Sequence, residues 1–162
     1  MSGKPSLKKL KKTISNNVQG VIMNIVQIDN WQDYLRDGEQ FLKTADGAFR
    51  KKAKAFSPDT LYNLTCMAIE KLIMAFLMKN GDLAENHTMG DLLFALERHL
   101  GHIPELAEKL RYLDTFQEIC DLESYTIVIP TEHDVVRFLD IGREIKELLH
   151  PHQASQSPLT TH

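Results

Sequence analysis

The chain lacks a glycine-rich phosphate loop, a Cys/His cluster at metal-ligand spacing, and any acidic residue in its first 28 positions. Each absence removes a class of chemistry. Without a glycine-rich turn opening a helix, nucleotide phosphates have no backbone cradle of the usual kind. The two cysteines, Cys66 and Cys120, are far apart in the chain. They form neither a zinc spacing nor a disulfide framework. They read as reduced structural thiols of a cytoplasmic protein, with Cys66 serving as a small hydrophobe inside a buried helix. No Ser-His-Asp arrangement stands out. The carboxylates are scattered over solvated helix faces, so paired acid–base chemistry has no anchor. His150 and His152 offer two ligands without a carboxylate set, so no metal site and no cofactor is expected.

Long apolar runs are also scarce. There is one, Leu61 to Lys79, and Glu70-Lys71 sits at its midpoint. Two central charges are costly in a bilayer, so a membrane span is not expected. A helix apolar on nearly every side is instead wrapped by other helices. This run is therefore read as the central helix of a bundle. The basic N-terminus has no short apolar core or small-residue cleavage site and is not read as a signal peptide. At 162 residues, 43% hydrophobic and 25% charged, the chain has the make-up of one soluble domain with a substantial core.

Charge is uneven. Residues 1–28 carry five lysines, Lys4, Lys8, Lys9, Lys11 and Lys12, on a chain of net charge −3, which leaves −8 on the rest. A basic arm on an acidic body suits nucleic acid. It equally suits the acidic body of a second copy. The arm has no aromatic residue to stack on a base.

Apolar residues recur at helical spacing along the chain. From Leu7 the positions Leu10, Ile14, Val18, Val21, Ile22 and Ile25 predict an N-terminal helix, against the β-branched run Val21 to Val26. A second helix opens near Asp29-Asn30 and buries Trp31, Leu35, Phe41, Leu42 and Ala45, with Gly38 and Gly47 as weak points. Ser57-Pro58-Asp59 marks the start of the central helix, and Asn80-Gly81 stops it. Thr88-x-x-Asp91 caps the next helix, which presents Met89, Leu92, Leu93, Leu96 and Leu100 and ends at Gly101. Ile103-Pro104 opens a fourth, with Leu106, Leu110, Leu113, Phe116 and Ile119 inward. Tyr125 to Ile129 reads as an extended connector, since a lone strand has no partner. Thr131-x-x-Asp134 caps a last helix from Glu132 to about His150, ended by Pro151. Residues 151–162 are expected to form a disordered tail.

The order of these parts resembles the HEPN domain family. The resemblance rests on Ala68-Ile69-Glu70-Lys71-Leu72-Ile73-Met74-Ala75-Phe76-Leu77 in a long helix. A short loop follows, then His87-Thr88-Met89-Gly90-Asp91-Leu92 and two further helices. It covers roughly residues 31–150. It implies an all-α, four-to-five-helix up-and-down bundle over residues 29–150. Beside what the resemblance implies, residues 1–28 are expected from their own spacing and lysines to form a basic, helical, dimerising extension. The resemblance further implies a homodimer, a nucleotide or RNA ligand, and a small nucleotidyltransferase as partner. Some members of the family are metal-independent, toxin-like ribonucleases. These use an arginine and a histidine a few residues beyond, the histidine as general acid or base and the arginine to stabilise phosphate charge.

Carried onto this chain, the catalytic pair is Arg143 and His150, on nearly one line of the last helix. Three departures argue against catalysis. Glu144 follows Arg143 and repels phosphate. His150 ends its helix before Pro151. The pair also lies late in the helix. Glu70, Lys71 and His87 are the candidate ligand-binding residues; Glu70 and Lys71 diverge by about 100° and cannot both face inward. The favoured reading is a non-catalytic nucleotide- or RNA-associated binding module. The alternatives are the ribonuclease and a plain protein-interaction module.

Overall fold

The computed structural model describes residues 14–18, 21–25, 28–117 and 128–154. Two short strands, β1 (Ile14–Val18) and β2 (Val21–Ile25), pair antiparallel with Ile14 opposite Ile25 and Val18 opposite Val21. The helical expectation for this stretch is thereby corrected. Its β-branched residues favour an extended backbone over a helix. Leu7 and Leu10 lie outside the described residues.

Five helices follow: α1 (Trp31–Arg50), α2 (Pro58–Lys79), α3 (Met89–Leu100), α4 (Pro104–Asp114) and α5 (Glu132–Ala154). They form the expected all-α bundle. α2 is its axis. Ala68, Ile69, Leu72, Ile73 and Phe76 are all buried, as the apolar run predicts. Around them pack Leu42 and Ala45 of α1, Leu92 and Leu96 of α3, Leu110 and Leu113 of α4, and Phe138, Ile145 and Leu149 of α5. α2 is long and apolar enough to cross a membrane, but two thirds of its most apolar window is buried inside the bundle.

The local signals act as read. Ser57 accepts from Thr60 N–H at the start of α2, with Pro58 in the first turn. Thr88 Oγ1 accepts from Asp91 N–H, and Thr131 Oγ1 from Asp134 N–H. α1 runs unbroken through Gly38 and Gly47. At Gly38 the reason is contact: an added Cβ would lie 3.0 Å from Leu72 Cγ and 3.1 Å from the Ala68 carbonyl oxygen. The missing side chain lets α1 approach α2 closely.

Two helix ends differ from expectation. α4 stops at Asp114, so Phe116 lies beyond it, where it packs on the ring of Phe138 at 4.9 Å. Ile119 is outside the described residues. α5 does not end at Pro151 but continues to Ala154, which takes residues 151–154 out of the expected tail. Lys79, almost fully buried, explains the extension. Its Nζ donates to the carbonyls of His152 at 2.7 Å and Gln153 at 2.8 Å. A cation on the last carbonyls satisfies groups that a helix C-terminus leaves open. The His152 ring also meets Phe76 edge-on at 5.7 Å. Of the expected connector, Val128 and Ile129 lie in irregular chain; residues 125–127 and 155–162 are outside the described residues.

Candidate functional site

Glu70 and His87 meet. Glu70 Oε1 lies 2.7 Å from His87 Nδ1, which ties the middle of α2 to the loop before α3. The histidine is 73% exposed. Its neighbour Thr88 caps α3, so this pair braces the α2–α3 loop. Lys71 points elsewhere, as helical geometry demands. Its Nζ sits 4.1 Å above the Tyr34 ring on α1. The three candidate ligand-binding residues are thus one pair plus a separate cation.

Arg143 projects from α5 towards α1. It donates to Asp46 Oδ1 at 2.7 Å and to Asp140 Oδ1 at 2.6 Å. Asp140 first, and then Asp46, hold its guanidinium even more firmly protonated than usual. His150 is exposed, two turns further along the helix, about 10 Å by helical rise. It therefore does not share a contact with Arg143. Glu144 does not face an open site either: Lys109 of α4 holds it at 2.6 and 2.8 Å.

Arg143 sits in a groove of about 410 Å³ between α1 and α5. Arg36, Lys43 and Lys146 line it with Arg143, against Glu39 and Asp46. Three of these cations are already engaged. Arg36 pairs with Asp33 at 2.9 Å and Lys146 with Glu39 at 3.3 Å. Lys43 makes no ion pair among the described residues. Sequence reasoning missed this groove, because its cations are spread over two helices about a hundred residues apart.

It also missed a cluster at the α2–α3 turn. Asp82 accepts from Arg98 Nε at 3.2 Å and Nη2 at 2.9 Å, and lies 2.8 Å from His99 Nε2. Burial pushes the Asp82 carboxyl up, but the hydrogen bonds from His99 and Arg98 outweigh it, and the net shift is downward. Basic residues in a helix's last turn, here Arg98-His99, were the readable signal. The cluster clamps the turn to the end of α3. Among the described residues, no three His, Cys, Asp or Glu side chains gather as metal ligands.

Comparison with known proteins fits this architecture. None of the curated proteins matches the chain. Among solved structures, the protein TT1696 from Thermus thermophilus is similar in fold. Its TM-score is 0.62 at 18% identity, covering 77% of this chain and 99% of that one. The HEPN domain profile matches residues 31–152, from the start of α1 to the last turn of α5. The chain therefore belongs to the HEPN domain family.

Proposed function

We propose that this HEPN domain is a non-catalytic nucleotide- or RNA-associated binding module of the cytoplasm that docks phosphates in the α1–α5 groove. The observation that carries this reading is the set Arg36, Lys43, Arg143 and Lys146 around one concave surface. Lys43, which has no ion pair among the described residues, is placed to take a phosphate. The other three must exchange a carboxylate for one, which makes binding modest and strongly salt-dependent. We further propose a homodimer, with the basic arm of residues 1–28 reaching the acidic body of a second copy, and a nucleotidyltransferase as partner protein.

The test is fluorescence anisotropy with a labelled single-stranded RNA at low and moderate salt. Lys43→Glu/Lys146→Glu should weaken binding about tenfold or more, with a shallower salt slope. An unchanged affinity, or no binding by the parent chain, refutes the reading.

Two observations favour the ribonuclease as a second reading. α5 continues past His150, and Lys109 neutralises Glu144, so two of the three departures noted in the sequence lose force. Against it, Arg143 is committed to two aspartates. We expect no cleavage of single-stranded RNA in EDTA. Cleavage abolished in both folded Arg143→Ala and His150→Ala variants would establish the ribonuclease instead.

A further inference from the structure

The C-terminal end of α1 closes in a tight turn. Ala53 N–H donates to Ala48 O and Lys52 N–H to Phe49 O, each at 3.0 Å. This is the paired hydrogen bonding of a Schellman end, whose left-handed residue is ordinarily glycine. Here it is Lys52, at φ 48°. A side chain in that conformation is strained. The chain nonetheless places a lysine there.

Beside this turn lies a pocket of about 360 Å³, within the range of small-ligand sites. Phe49 and Phe56, both half-buried, supply apolar walls, backed by the buried Leu61 and Val135. Lys52 and Lys54 border it and make no ion pair among the described residues. Arg50, also in the lining, is held by Asp46 at 2.9 Å. Glu132 is the single carboxylate. The first turns of α2 and α5, at Pro58 and Glu132, open onto the same space and add the positive potential of two helix N-termini. No residue lining this pocket lines the α1–α5 groove.

We propose that this pocket binds a small organic anion: a flat apolar body against the half-buried rings of Phe49 and Phe56, and one anionic group on Lys52 and Lys54. Two cations without an ion pair among the described residues, against one carboxylate, match a single anionic group and not a polyanion. The size and the aromatic walls match an aryl body. The site is independent of the RNA reading and stands or falls separately from it.

The test titrates the full chain with two probes at fixed ionic strength: 8-anilinonaphthalene-1-sulfonate and the neutral N-phenyl-1-naphthylamine. Lys52→Gly is the informative variant, because glycine suits φ 48° and the fold is kept while the cation goes. The sulfonate should bind once per chain. Lys52→Gly should weaken it several-fold, and Lys52→Gly/Lys54→Ala about tenfold. The neutral dye should change little. Absent sulfonate binding, equal affinity in the double variant, or an equal loss for the neutral dye overturns the proposal. So does a loss that instead follows Phe94→Ala, at an exposed ring away from the pocket, or Lys43→Ala/Lys146→Ala in the groove. Failure of RNA binding leaves these outcomes untouched.

Discussion

Three glycines inside helices meet three different surroundings, and alanine at each measures how closely the helices approach. In an open helix, Gly→Ala gains about 1 kcal/mol. Gly47 has nothing within 4 Å of an added Cβ, so Gly47→Ala should stabilise by about 0.5–1 kcal/mol. At Gly142 the new Cβ would fall 2.8 Å from Leu42 Cδ1 and 3.4 Å from Thr65 Cγ2. The nearer atom is the tip of a side chain that can rotate, so the propensity gain and the repacking cost nearly cancel, within about 1 kcal/mol. At Gly38 the neighbours are Leu72 Cγ at 3.0 Å, and the Ala68 oxygen and Leu72 nitrogen at 3.1 Å. Two of these belong to the α2 backbone and cannot swing aside. Overpacking there should cost about 2–3 kcal/mol, which leaves a net loss of about 1–2 kcal/mol. Urea melts followed by circular dichroism, with m checked for constancy, give all three differences. A Gly38→Ala variant as stable as the parent would refute the close approach of α1 and α2, and with it the placement of α2 as the axis.

Ile69→Ala and Phe76→Ala should each lose about 2–5 kcal/mol in the same melts, since both side chains are buried on the axis helix. Losses below about 1 kcal/mol for both would remove α2 from the centre. Lys79→Met should cost about 1–3 kcal/mol and speed amide exchange in the last turn of α5, because two carbonyls lose a charged donor. Unchanged exchange beyond His150 would show that the turn stands without it. The Tyr112 hydroxyl, then the Thr131 N–H and hydroxyl, hold the Asp134 carboxyl down at about 2, below its ordinary 3.8. Between those values the unfolded chain binds more protons, so stability rises with pH. The contribution is complete above about pH 4 and is lost as pH falls towards about 2. Asp134→Asn should flatten that part of an acid melt; an identical acid limb would contradict the hydrogen bonds.

What the sequence revealed of the fold was local. Ser57-Pro58, Thr88-x-x-Asp91 and Thr131-x-x-Asp134 state their function within four residues, because a cap acts on its own first turn. The α2 run is legible because burial on all sides leaves no polar face. The extension of α5 was hidden because its cause lies elsewhere. Pro151 offers no N–H to a helix, and its surroundings read as a stop. The partner that sustains the turn, Lys79, is 73 residues upstream of His152. The N-terminal stretch went the other way. Apolar spacing from Leu7 to Ile25 fits a helix, while Val21, Ile22 and Ile25 fit a strand equally well, and periodicity alone does not choose between them.

The candidate site was less legible for a related reason: which charges are engaged depends on contacts across helices. In the sequence, Arg143 has Asp140 and Glu147 within a helical turn as pairing partners, with Glu144 as the nearest hindrance to a phosphate; the Asp140 pair forms. In the structure the hindrance is reversed. Glu144 is absorbed by Lys109 on α4, and Arg143 is held by Asp46 on α1, 97 positions away. Spacing had predicted a shared flank for Arg143 and His150, and the helix supplies it. Spacing says nothing of whether either side chain is available. The same logic separates the lysines. Lys71 is committed to the Tyr34 ring and Lys79 to the end of α5. Lys43, Lys52 and Lys54 make no ion pair among the described residues. Among the cations lining the groove and the pocket, these three are the ones without an ion pair among the described residues, so on the proposed readings anion binding should respond to them before it responds to Arg143.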